Sequence, residues 1–152
     1  MKNLKPVNNI ILRGDKMMPE KMKYLELIHG VITRMASNSF SLKGWAVTLV
    51  AGFFALAEKD TDKMYFLVTY IPICVFWFLD SYYLQQERLY RALYNHVRII
   101  DENHIDFSMS TDSSRFSSIK NTFVSCLFSK TEFFFYFPLA ILTTGIIILT
   151  HL

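Results

Sequence analysis

Three stretches of this chain, residues 44–57, 64–79 and 133–150, contain no Asp, Glu, Lys, Arg or His. A helix that crosses a bilayer needs about 20 apolar residues. The first stretch extends naturally to 40–58, where only Lys43 and Glu58 are charged and both can snorkel to the interface. A soluble bundle would need several polar helices to cover three helices that are apolar all round. A chain of 152 residues has no room for them. The pattern therefore predicts an all-α integral membrane protein with three transmembrane helices: an antiparallel hairpin plus a C-terminal span.

Composition agrees. Hydrophobic residues make up 52% of the chain, 14 of them phenylalanines, which is high for a soluble domain of this size. The net charge of +3 is too small for a broad nucleic-acid surface. Cys74 and Cys126 form no CxxC, and no His or Cys stands at metal spacing, so neither a disulfide framework nor a zinc site is expected.

The basic residues set an orientation. Eight of the 16 lysines and arginines precede the first span, two lie in the first connection and six in the second. The positive-inside rule then puts the N-terminus and residues 81–130 in the cytoplasm and the C-terminus outside an inner (plasma) membrane.

Five segments follow. Residues 1–18 read as a disordered or mis-assigned start. Codons for "RGDKMM" can contain a ribosome-binding sequence, which would place initiation at Met17 or Met18. Residues 19–42 form an amphipathic cytoplasmic or interfacial helix, with Tyr24, Leu27, Ile28, Val31 and Met35 on one face. Residues 43–80 are the hairpin, with spans at about 40–58 and 64–80 joined by the short polar turn 58–64. Residues 81–130 hold a cytoplasmic helix running past residue 100, a Ser-rich linker and a short interfacial helix carrying Phe116, Ile119, Phe123 and Leu127. Residues 131–152 form the third span, opened by a capping box at Ser129 and Glu132.

Within this layout, "RMASNSFSLKGW" reads as the entrance to the membrane. Ser39 and Ser41 can cap a helix start, and Trp45 suits the interfacial aromatic belt. Gly44, Thr48, Gly52 and Ala55 form a small-residue stripe that lets another helix approach closely. Folding the hairpin about its turn brings Lys43 opposite Asp80. The two either form an ion pair or each carry a charge to the interface. Pro72 should kink the second span and Pro138 bend the start of the third.

Two stripes mark the cytoplasmic helix. Leu89, Leu93, Val97 and Ile100 form an apolar association stripe that needs either the N-terminal helix or another subunit. Arg88, Arg91, Asn95 and Arg98 form a polar stripe. It reads either as a contact for a phosphate-like anion or as a solvated, headgroup-facing surface.

No nucleotide-binding, hydrolase or metalloprotease motif occurs. His96 and His104 lie near Asp101, Glu102 and Asp106 without a zinc-ligand spacing. No catalytic residue, metal ligand or cofactor is assigned, and an enzyme is not expected.

The stretches "YLELIHGVITRMASNSFSLKGWAVTL" and "FWFLDSYYLQQERLYRALY" resemble small bacterial inner-membrane proteins, and over about residues 22–100 the layout is similar to SLATT-type effectors proposed for anti-phage systems. That resemblance implies a homo-oligomer that perturbs or opens the membrane. The third span and the lack of a folded nucleotide sensor depart from the simplest two-span form. A polar lumen has few candidates, namely Thr48, Thr69, Thr143, Thr144 and Asp80. The alternative is a membrane anchor whose cytoplasmic helices recruit a soluble protein partner.

Overall fold

A computed structural model describes residues 19–56, 67–111, 116 and 118–150, and every element among them is helical. The order is α1 (Pro19–Leu56), α2 (Tyr70–Ile99), 3-10 turns at Glu102–His104 and Ile119–Asn121, α3 (Phe123–Leu127) and α4 (Lys130–Thr150). The expected start at Met17 or Met18 and the turn 58–64 lie outside the described residues.

Among these helices, α1 and α4 are long and apolar enough to cross a membrane. Only 17% of each apolar window is buried within the chain, whereas a core helix of a soluble protein would be mostly covered. The outward side chains include Leu49, Phe134, Phe137, Ile141, Leu142 and Leu149.

The segments expected as an amphipathic helix and a first span are one helix. α1 runs unbroken for 38 residues, about 57 Å at 1.5 Å per residue. Ser39 and Ser41 therefore cap nothing. The Ser41 hydroxyl donates back to the Ser37 carbonyl, and Ser39 Oγ accepts from Lys43. Such back-bonding satisfies small polar residues inside a helix and removes the need for a break.

α1 and α2 share the largest interface and run antiparallel. Lys21 at the start of α1 donates to the carbonyl of Ile100 at the end of α2, 2.9 Å away. Further along, Ala46 and Val50 meet Ile73. On α1 the buried positions Leu25, Ile28, Ile32, Leu42 and Ala46, joined by half-buried Met35 and Ser39, follow steps of three and four residues, a coiled-coil-like seam. The sequence pattern had put Leu27 on the inner face, but Leu27 is 58% exposed, and Leu25 and Ile32 point inward instead. The partner surface selects the seam: Leu93 and Val97 of α2 fit against Tyr24, Leu25, Ile28 and Ile32. The apolar stripe of α2 is thus covered by the chain's own N-terminal helix. Leu89 is buried as well, whereas Ile100 is only part-buried and serves as the C-cap.

A turn at Thr69, about one helical turn before Pro72, separates helical residues 67–68 from the start of α2. Pro72 has no N–H for the carbonyl four residues earlier, so the irregularity lies ahead of the proline. The helix stops at Ile99, short of the expected extension past residue 100. Beyond it Tyr24 donates to the Ser108 carbonyl at 2.6 Å, and its ring meets Phe107 edge-on. These contacts tie the following loop to α1.

The expected interfacial helix is split in two. Thr122 adopts an extended conformation between the 3-10 turn and α3, and its hydroxyl accepts from the Ser125 N–H. Its anchor points are Trp77 Nε1, which donates to the Leu127 carbonyl at 3.0 Å, and Phe78, which stacks on Phe123. α4 then runs antiparallel to α2. Tyr136 reaches Asp80 near its start, and Tyr70 reaches Thr144 further along. Pro138 lies within α4 without ending it.

Candidate functional site

Two polar constellations stand out, and the first is buried. Lys43 of α1 forms ion pairs with Asp80 of α2 and with Glu132 of α4, the latter at 3.1 Å. The sequence placed Lys43 opposite Asp80, and the pair forms. It did not identify Glu132, which the capping-box reading had assigned to helix α4 itself. Ser129 does accept from the Glu132 N–H, at 3.4 Å, but the Glu132 carboxylate turns to Lys43. Half of the box is made, and the other half becomes an interhelical contact.

Tyr136, one turn beyond Glu132, donates its hydroxyl to Asp80 Oδ2 at 3.1 Å. The Lys43 ammonium also lies 5.8 Å from the Phe135 ring centre and 5.9 Å from that of Tyr136. Asp80 and Glu132 are essentially inaccessible, at 0% and 1% exposure. Two carboxylates face one ammonium here. Asp80 Oδ1 and Glu132 Oε2 accept no hydrogen bond among the described residues. The cluster joins all three long helices at one level. Chemically it is a clamp: partner removal at such a site is expensive because the remaining charge stays buried.

The second constellation is an open groove of about 670 Å³ between α2 and residues 120–131. Three of the four residues in the polar stripe line it: Arg88, Arg91 and Asn95. Arg98 is exposed elsewhere on α2 and does not. Lys120 and Lys130 complete the cationic wall, with hydroxyls from Ser125 and Thr131. Sequence reasoning missed the two lysines because they lie in separate short elements, which only the fold brings to α2. Arg88 Nη1 donates to the Lys120 carbonyl at 2.6 Å, which fixes that strand of chain against the helix. Arg91 pairs with Glu87 one turn earlier, at 2.7 Å.

Cys126 of α3, next to the groove-lining Ser125, is fully buried, and this burial pushes its thiol above the ordinary range. Asp101, exposed at the end of α2, is held below the usual carboxylate range chiefly by the Asn103 backbone N–H. His96 stacks edge-on with Phe116. Among the described residues no group of three or more His, Cys, Asp or Glu side chains is placed to hold a metal ion.

The small-residue stripe faces away from the chain's own helices. Gly44, Thr48 and Ala55 are exposed and Gly52 half-buried. A Cβ added at Gly44 or Gly52 would meet nothing within 4 Å. The packing face of α1 at this level is Leu42, Ala46 and Val50 instead.

Comparison with family models, with curated proteins and with solved structures finds no match for this chain.

Proposed function

We propose that this is a three-span inner-membrane protein, with its N-terminus and residues 81–130 in the cytoplasm, that assembles with copies of itself and perturbs the bilayer. The outward Gly44–Thr48–Gly52–Ala55 face carries this reading. It is flat, apolar and unused within the chain, as a helix–helix contact in lipid requires. The third span is supplied by α2, whose described apolar part begins at Tyr70 and is flanked by α1 and α4 over that length.

The hydroxyls that could have lined a lumen inside one copy have partners. Thr48 bonds back to Gly44, Thr143 to Leu139, and Thr144 to Ala140, all within their own helices. Asp80 is held by Lys43 and Tyr136. Any opening therefore forms between copies. A role in anti-phage defence is supported by the resemblance to SLATT-type effectors alone.

The native mass in mild detergent tests the reading. About four or more subunits are expected, because a few spans cannot enclose a channel alone. Gly52→Leu should lower that mass and abolish depolarisation of expressing cells. A monomer with unchanged Gly52→Leu behaviour would favour the second reading, an anchor that recruits a cytosolic protein. One observation supports that alternative: the basic groove between α2 and residues 120–131 is open to the outside of the chain.

A further inference from the structure

We infer that the groove between α2 and residues 120–131 is a binding site for a phosphate monoester. The first ground is charge. Arg88, Lys120 and Lys130 line the groove, and none of them has a carboxylate partner among the described residues, whereas Arg91 is already matched by Glu87. Three such cations on one concave wall repel one another, and an anion relieves that repulsion. A monoester carries a charge of about −1.5 to −2 at neutral pH, which suits this wall better than a singly charged diester.

The second ground is donor geometry. Arg88 spends one of its N–H groups on the Lys120 carbonyl and another against the Cys126 thiol, and part of its five-donor fork is left over. That bond also rigidifies the guanidinium, so less freedom is lost when it grips an oxygen. The Ser125 and Thr131 hydroxyls and the Asn95 amide add neutral donors around the same volume. A phosphate group offers three terminal oxygens to such a mixed set.

Depth is the third ground, and it rests on the membrane placement proposed above. Arg88 lies eight residues beyond Asp80 on α2, about 12 Å along the axis. Lys130 opens α4 two residues before Glu132. The groove thus sits at headgroup level on the cytoplasmic side, and Phe128, 65% exposed, gives it an apolar rim. Basic pockets at this depth recognise lipid headgroups. The phosphate can come from a lipid or from a soluble ester, and the experiment separates the two.

Full-length protein is reconstituted in phosphatidylcholine nanodiscs containing equal small amounts of phosphatidic acid and phosphatidylglycerol, then released for native mass spectrometry. Wild type should retain phosphatidic acid about tenfold over phosphatidylglycerol. The double variant Lys120→Gln/Lys130→Gln should lose that preference, and Lys23→Gln, exposed on α1, should keep it. Both lysine side chains in the double variant are exposed, so an unchanged unfolding temperature without ligand is expected. Asn95→Asp, which places an anion in the groove, provides an independent loss.

In parallel, the unfolding temperature in detergent is followed as inorganic phosphate or adenosine triphosphate is added. A rise in wild type but not in the variants, with the two lipids retained equally, would support the site and assign it to a soluble phosphate compound. Equal retention of the two lipids, with no rise on adding soluble phosphate, would overturn the monoester assignment. If neither lipid nor soluble phosphate distinguishes wild type from the groove variants, the site does not exist.

Discussion

Glu132 of α4 and Lys43 of α1 meet at 3.1 Å although 89 positions separate them in the chain. With Asp80 on the same ammonium, the three long helices are fastened at a single point. The end of the α1–α2 seam around Leu25, Ile28, Leu93 and Val97 gains from the hydrophobic effect, about 1.5–3 kcal/mol for each large side chain removed from water. In lipid that driving force is absent and packing needs other glue. The polar cluster ties α1, α2 and α4 together beside the outward apolar surfaces of α1 and α4, the two helices long and apolar enough to cross a membrane.

Unequal numbers of charges make its members unequal. Lys43→Met leaves two buried carboxylates with no cation, and unfolding in detergent should be easier by about 3–5 kcal/mol. Glu132→Gln leaves one cation facing one carboxylate, and its cost should stay within about 1 kcal/mol. Unfolding temperatures of the two variants decide the matter; equal losses would contradict the clamp.

Leu93→Ala should destabilise the Tyr24–Ile32 end of the α1–α2 seam by about 2–5 kcal/mol, since that side chain is 2% exposed within that apolar cluster. Leu27→Ala, on the outer face of α1, should cost less than about 0.5 kcal/mol. Limited proteolysis around residues 100–111 reads the difference, because that loop is held by Tyr24 on the same seam.

Gly30→Ala should raise stability by about 1 kcal/mol. The position is mid-helix, exposed, and open to a Cβ on every side. Circular dichroism melting of the intact protein in detergent provides the check.

The two cysteines should separate by reagent and by pH. Cys126 is buried and its thiol is pushed up by desolvation, so at pH 8 it should react with a maleimide at least about tenfold more slowly than an ordinary exposed thiol. Its rate should climb only as pH rises beyond the usual thiol range. Cys74 is exposed on the outward face of α2. A membrane-permeant reagent should reach it and a charged one should not; labelling by both would argue against a lipid-facing position.

The sequence spoke clearly wherever one helix sufficed. Apolar length foretold α1 and α4, and hairpin symmetry foretold Lys43 opposite Asp80. It misjudged the inner face at Leu27, because a 3.6-residue period averages over positions that the partner helix sorts at 3.5. Ser39 and Ser41 looked like a helix start since isolated serines favour caps, and the Ser41 back-bond and the Lys43 contact to Ser39 become visible only once the helix passes through them. Glu132 was hidden for a related reason: a capping motif and an interhelical ion pair use the same residue. Lys120 and Lys130 could not be joined to the Arg88 stripe without knowing how residues 118–130 turn back along α2.

The unbroken course of α1 has a mechanical meaning. No hinge separates the part that meets water from the part that meets Leu42, Ala46 and Val50, so the two ends turn as one shaft. Rotating the helix at Leu25 rotates it equally at Lys43. One residue inserted near Asn38 would advance everything above it by about 100°, carrying the ammonium off Asp80 and Glu132 together. Whatever grips the first turns of this helix therefore has direct leverage on the lock between the three long helices.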